Sequence, residues 1–255
     1  MTGSVPRDRQ RRPLQVLVTV LILAVLGSAL VFLGPNVLGS LSTGGGSLLA
    51  GPECVVRTSD DEVELSREEA KRATTEVALR ARGVEPTESS SLDEAALQAL
   101  ADGRSGKAGP VLSCRGSAAS DLQEERLTAT GLTPRAEQVR TAMTDVFGEQ
   151  NLGGFEPGGV GSGHGGDSTH YDGRAIDVFF RPVTEENRRE GWVLAQWLVA
   201  HADDLNIQYV IFDDQFWSSR IARGEWHDYE APAPANEILR HLDHVHVDVL
   251  GGATP

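Results

Sequence analysis

The side chains best suited to chemistry form two histidine-containing groups that are far apart in the sequence. In segment 168–177, His170 precedes Asp177 by seven positions, and the second group is His244-Val245-His246. Two imidazoles and one carboxylate are the donor set of a catalytic zinc, with a fourth position left for water. A His–Asp pair alone could equally be a loop hydrogen bond, so the predicted metal site depends on both groups.

Two predicted strands must position these groups. The alternation over residues 175–180 predicts a buried strand that places Asp177 on one face with two apolar neighbours. A second strand is predicted over His244–Val249, where His244 and His246 share a face and the intervening valines enter the core. The sequence therefore predicts that the two groups can converge on one metal ion.

The other elements are predicted from helix caps and apolar periodicity. Helix-start signals are Ser66-Arg67-Glu68-Glu69, Ser91-Leu92-Asp93-Glu94, Thr133-Pro134 and Thr184, with predicted ends near Arg82, Ala101, Gly148 and Ala202. One more strand is predicted at 208–212. This mixture indicates an α+β fold, with a small antiparallel sheet and flanking helices.

The N-terminal part predicts a membrane anchor. Residues 14–34 are almost entirely apolar, long enough for a membrane-spanning helix, and follow an arginine-containing tail at 1–13. The arginines favour a cytoplasmic N-terminus and place the rest of the chain outside the cytoplasm. A cleaved signal peptide is the alternative. Residues 35–53, rich in Gly and Ser, predict a flexible linker.

The two cysteines bracket a segment that we expect to be a small helical module. Cys54 and Cys114 predict a disulfide in an oxidising compartment, and a thiol metal site is the weaker alternative because close Cys-x-x-Cys spacing is missing. The predicted organisation is thus a module at 54–115, a linker at 116–130 and a domain at 131–250 that carries the metal site.

The charge balance argues against nucleic acid as a partner. The chain has 37 acidic and 23 basic side chains and a formal net charge of -14. Such an excess disfavours sequence-independent attraction to phosphates. No nucleic-acid partner is therefore expected.

The complete motif resembles a known superfamily. Ser-x-His-x-x-Gly-x-Ala-x-Asp with a later His-x-His is similar to the zinc peptidases that include lysostaphin-type endopeptidases, D-alanyl-D-alanine carboxypeptidases and dipeptidases, and hedgehog domains. This resemblance implies a hedgehog/DD-peptidase-like fold with zinc bound by His170, Asp177 and His246. It also implies that His244 activates water or stabilises the transition state, and that Asp243 stands where some members have a glutamate general base.

The substrate-binding residues depart from the superfamily pattern. Glu156 stands where the peptidases usually present an arginine to a substrate carboxylate, and its charge disfavours D-Ala-D-Ala carboxypeptidase activity. Arg174 could bind the carboxylate instead, or it could pair with a nearby acidic side chain. Ser168, the first residue of the motif, is the other candidate for substrate binding.

Three further histidines have ordinary interpretations. His164 lies among glycines and is predicted to be a solvated loop residue or a contact at the rim of a pocket. His201 and His241 are predicted to lie at helix ends, where a cationic side chain interacts favourably with the helix dipole.

Two functions follow from these patterns. The chain also resembles a largely uncharacterised family of membrane-anchored or secreted bacterial proteins that carry Gly-Arg-Ala-x-Asp and Asp-His-Val-His-Val. We therefore expect a single-pass protein of the bacterial cell membrane with an extracytoplasmic zinc-dependent peptidase domain that acts on peptidoglycan peptides. The alternative is a non-catalytic envelope-binding module that retains the fold, with or without a structural zinc.

Overall fold

Local capping signals set the helix ends in the computed structural model, which describes residues 51–103, 110–117 and 119–253. The helices in these ranges are α1 (Arg67–Ala81), α2 (Glu94–Asp102), α3 (Pro134–Phe147) and α4 (Glu185–Ala200). Ser66, Thr133 and Thr184 each accept a hydrogen bond from a backbone N–H in the first turn, as predicted. Helix α2 begins later than predicted because Asp93, rather than Ser91, is its N-cap.

The strands form two antiparallel sheets, which confirms the α+β class. The first sheet contains β1 (Cys54–Arg57), β2 (Glu62–Leu65) and β3 (Leu112–Cys114) in the order β2-β1-β3. The second contains β4 (Leu152–Gly153), β5 (Ala175–Phe179), β6 (Ile207–Phe212), β7 (Gln215–Ser218), β8 (His227–Asp228) and β9 (His244–Val249). Its order is β4-β5-β9-β6-β7-β8, so the strand that carries the His-x-His pair lies inside the sheet.

The small helical module expected at 54–115 also contains strands. The segment contains α1 and α2, but it also contributes the three strands of the first sheet. These strands have three or four residues each, too few for alternation to stand out in the sequence. The predicted disulfide is confirmed, and it joins Cys54 to Cys114 at directly paired positions of β1 and β3.

Residues Pro52–Pro255 form one compact unit. Helix α4 is central to its packing. All residues from Gly191 to Ala200 are buried, because α4 packs against α1 and α2 and also against β6 and β9. Apolar side chains from 54–115 and from 131–250 therefore belong to one hydrophobic core.

Buried hydrogen bonds also join the first sheet to the rest of this unit. The indole N–H of Trp217 donates to the carbonyl of Cys114 at 2.9 Å, and that of Trp226 donates to the carbonyl of Leu112 at 2.9 Å. Gln196 of α4 accepts from the backbone N–H of Leu112 at 3.2 Å and donates to the carbonyl of Leu100 at 2.9 Å. Because these bonds are buried, they help to fix the position of the segment against α4.

The predicted membrane anchor lies outside the residues that the structure describes. This holds for the whole apolar segment 14–34, for the tail 1–13 and for nearly all of the linker 35–53. Among the helices of the described ranges, none is both long enough and apolar enough to span a bilayer. The predicted localisation therefore stays a prediction.

Replacing both Cys54 and Cys114 by serine should lower the free energy of unfolding by about 4 kcal/mol, because the closed loop between them spans 60 positions. Urea titration of the whole chain measures this difference. Reduced wild type should fall to the value of the double variant, and the double variant should not respond to the reductant. An unchanged wild-type midpoint after reduction would contradict the prediction.

Candidate metal centre

The pairing of β5 with β9 brings the two sequence groups together. Asp177 is directly opposite His246 across the two strands, and Phe179 is opposite His244. His170 arrives from the turn that precedes β5, in which the N–H of Gly173 donates to the His170 carbonyl at 3.0 Å. The predicted convergence of both groups is therefore observed.

Three donor atoms lie at the spacing of a tetrahedral metal site. His170 Nε2 is 3.3 Å from Asp177 Oδ1 and 3.2 Å from His246 Nδ1, and the last two atoms are 3.1 Å apart. Donors that are about 2.0–2.1 Å from a tetrahedral zinc ion stand roughly 3.3–3.4 Å from one another. The side chains are only 3%, 5% and 6% exposed, so the surrounding protein holds this geometry.

In His170 and His244, a hydrogen bond at Nδ1 leaves the Nε2 atom directed towards the centre. His170 Nδ1 lies 2.8 Å from the carbonyl of Gly154, which can only accept, so Nδ1 carries the proton and Nε2 does not. His244 Nδ1 likewise lies 2.8 Å from Asp243 Oδ1, and its Nε2 is 3.7 Å from Asp177 Oδ1. In this tautomer the Nε2 atoms of both rings lie near the Asp177 carboxylate, and a bound cation would stabilise the cluster.

The pKa directions also favour an anion beside neutral imidazoles. Burial by itself raises the pKa of Asp177, but its contacts with His170 and His246 outweigh burial and hold that pKa far below its usual range. Burial lowers the pKa of His246, despite the opposing effect of Asp177. These directions favour the carboxylate form of Asp177 and the neutral form of His246, which are the forms that bind metals.

Arg181 belongs to the site although no sequence pattern indicated it. Its Nε donates to Asp243 Oδ2 at 2.6 Å, and its guanidinium carbon lies 4.0 Å from the centroid of the Phe179 ring. Both oxygens of Asp243 are thus engaged, one by Arg181 and one by His244. Burial raises the pKa of Asp243, but these two hydrogen bonds outweigh it and lower the pKa. Asp243 is therefore a weak base that is well placed to orient His244.

His241 also lies against the centre, contrary to its interpretation as an ordinary helix-end residue. Its ring centroid is 4.7 Å from that of His244 and 5.7 Å from that of His246. Burial lowers its pKa to about 3, so the ring is neutral near pH 7. Its backbone has φ +50, and its carbonyl accepts from the N–H of Asp213 at 2.8 Å. This contact depends on a turn conformation that the sequence does not signal.

His164, interpreted from sequence as a loop or rim residue, lies beside the metal donors. Donor atoms of His164, His170 and Asp177 all lie within 4.8 Å of one another, a grouping that could hold a metal ion. The other expected helix-end histidine, His201, directs its Nδ1 to the Trp197 carbonyl in α4 at 2.8 Å.

The two candidate substrate-binding residues make local contacts. Arg174 donates to Asp172 at 3.1 Å, to Gln208 at 3.2 Å and to the Val249 carbonyl at 2.8 Å. This is the acidic pairing that the sequence left open as the alternative. The Ser168 hydroxyl accepts from the His170 backbone N–H at 3.3 Å, so it helps to shape the turn. A role of either residue in binding substrate stays a prediction.

Comparison with known proteins relates part of the chain to a described domain. A family model described as VldE, C-terminal domain, matches residues 128–237, which is less than half of the chain. This part of the chain is similar to that domain, and it contains His164, His170 and Asp177 but ends before β9. No curated protein and no solved structure matches the chain.

Replacing Gly154 by alanine should weaken metal binding at least about tenfold, because loss of a partner that orients a ligand typically costs 10–100-fold. Gly154 has φ +80, and a Cβ there would collide with the His170 ring. Titration of the whole chain with Zn²⁺ against a competing chelator measures the affinity.

Gly158 provides the matched control for this change. It lies on the same loop with φ +92, and a Cβ there would meet no atom within 4 Å. Gly158→Ala therefore introduces similar backbone strain without touching His170, and it should bind Zn²⁺ like the wild type. Equal affinities of the two variants would show that Gly154 does not position the ligand.

Proposed function

We propose that this chain is a zinc-dependent peptidase of the bacterial cell envelope that hydrolyses amide bonds of peptidoglycan peptides. The observation that carries this proposal is the set of three donor atoms of His170, Asp177 and His246 at mutual distances of 3.1–3.3 Å, beside the Asp243–His244 pair. The motif resemblance to zinc peptidases supports it independently.

Zinc is the metal that this donor set favours. Two imidazoles and a carboxylate at tetrahedral spacing suit zinc, whereas magnesium and calcium prefer oxygen ligands and higher coordination numbers. When bound, zinc would supply Lewis acidity that polarises an amide carbonyl and activates water near neutral pH. Gly154 contributes by holding the Nδ1–H of His170, which keeps Nε2 available as a ligand.

His244 is the residue that we propose moves the proton. Its Nε2 faces the centre, 3.7 Å from Asp177 Oδ1, and can take a proton from the attacking water and give it to the leaving nitrogen. Asp243 Oδ1 accepts from His244 Nδ1–H, which fixes the tautomer and stabilises the ring when it becomes charged. This division of roles assigns proton transfer to His244 and alignment to Asp243.

The proposed substrate follows from the proposed location. The apolar segment 14–34 and the arginines before it support an anchor with the rest of the chain outside the cytoplasm. The amide-rich polymer outside a bacterial membrane is peptidoglycan, so its peptides are the first substrates to test.

The second candidate function is envelope binding without hydrolysis. It is favoured by the proximity of His164 to the donors, within 4.8 Å, because metal sites with four protein ligands are generally structural. In this case the same residues would hold the metal while the domain binds wall peptides.

Substitution of the two β9 histidines should separate metal binding from hydrolysis. His246→Ala should lose zinc and activity together, whereas His244→Ala should keep zinc and lose about 10²–10⁴-fold in turnover. Metal analysis and mapping of peptidoglycan products measure the two properties. His227→Ala removes an exposed histidine of β8 and should match the wild type. A zinc-loaded wild type that never cleaves would favour envelope binding.

Arg181 should affect turnover through its ion pair with Asp243. Arg181→Gln removes the charge at 2.6 Å from Asp243 Oδ2 and should reduce turnover about ten- to hundredfold, the range expected for one charge-assisted hydrogen bond. Arg181→Lys retains the charge and should recover part of this loss. Zinc content should be unchanged in both variants, and equal turnover of the glutamine and wild-type proteins would contradict the proposed alignment.

A further inference from the structure

His164 is held over the metal centre by the loop that connects β4 to the His170 turn. Its ring lies on the His170 ring with a centroid distance of 4.1 Å and an interplanar angle of 33°. Its backbone N–H donates to the Tyr171 hydroxyl at 3.1 Å, and its ring is 6.4 Å from the Tyr171 ring. His164 is exposed, and these two local contacts orient its imidazole towards the centre.

The distances place this ring close to a fourth coordination position. The donor atoms of His164, His170 and Asp177 lie within 4.8 Å of one another, compared with the roughly 3.4 Å expected of donors that share a tetrahedral zinc ion. The His164 nitrogen would have to move inward by roughly an ångström or more to share one ion with His170 and Asp177. The other three donors need no such shift.

The loop backbone can provide this movement. Gly161, Gly163, Gly165 and Gly166 surround His164, and a Cβ at any of them would meet no atom within 4 Å. Gly163 has φ +101 and Gly165 has φ +87, so the segment uses conformations that glycine adopts easily. The backbone on both sides of His164 therefore has open space around it.

We propose that His164 is a fourth, displaceable protein ligand of the metal held by His170, Asp177 and His246. With His164 bound, the metal has four protein ligands and no position for water. With His164 displaced, the position opens for water or substrate. The inference rests on the metal centre of the proposed function, but it concerns coordination and does not require that any peptide be cleaved.

His244 is the competing candidate for the fourth position, since its Nε2 is 3.7 Å from Asp177 Oδ1. It lies on an interior strand and its Nδ1 is bound to Asp243, so it has less freedom to move than a ring between glycines. His164 is also exposed, whereas His244 is buried. These differences favour His164 as the ligand that is exchanged.

Cobalt substitution of the whole chain tests the assignment. The visible absorption of bound Co²⁺ reports its ligands, and azide changes it only where a coordination position is open. We expect the wild-type spectrum to be unaffected by millimolar azide. His164→Ala should respond to azide and bind Co²⁺ about tenfold or more weakly, comparable to the loss of a ligand-orienting partner.

Two further variants make the result decisive. His244→Ala should remain unresponsive to azide, and His227→Ala, which removes a histidine of β8, should behave like the wild type. An azide response in the wild type, no response in His164→Ala, or a response only in His244→Ala would overturn the assignment. If the wild type binds no metal, the metal centre itself is wrong. If it binds metal, does not respond to azide and shows no peptidase activity, only the proposed hydrolysis is wrong.

Discussion

The register of β5 against β9 is the constraint on which the metal centre depends. Asp177 and His246 are direct cross-strand partners, and the neighbouring valines of β9, Val245 and Val247, are 0% and 1% exposed. A shift of one residue would turn the histidines into the core and the valines away from it. Because each buried valine contributes about 1.5–3 kcal/mol, the hydrophobic core fixes the alignment that chemistry requires.

That alignment concentrates polar groups where the protein would otherwise bury apolar ones. Asp177 must stay ionised while 5% exposed, and nitrogen atoms of His170, His244 and His246 lie near its oxygen. Burial of a charge is costly unless it has partners, so a bound cation would stabilise the folded chain by mass action. Strands β5 and β9 therefore direct apolar side chains into the core from one face and polar donors to the centre from the other. The alternation of side chains along each strand makes this possible.

Local signals predicted a large part of the fold and the three principal donors. The caps at Ser66, Thr133 and Thr184 act within one helical turn, and the alternation around Asp177 and His246 has a period of two, so both are readable from neighbouring residues. The first sheet was missed because its strands have only three or four residues, too few for alternation to stand out.

The residues missed at the site are those whose roles depend on distant contacts. Arg181 pairs with a carboxylate 62 positions away, so its neighbours in the sequence carry no sign of that role. His241 depends on a left-handed turn held by the backbone of Asp213, and His164 depends on the path of a glycine-rich loop. In each case the sequence shows which side chain is present but not the distant residue that it contacts.

The interior position of β9 has a consequence for the order of events during synthesis. This strand is the last of the described chain, yet it lies between β5 and β6, which are made earlier. The earlier strands cannot complete their sheet until β9 has emerged and inserted between them. A metal ion that needs His246 together with His170 and Asp177 would therefore find the complete site only after β9 has inserted between the earlier strands.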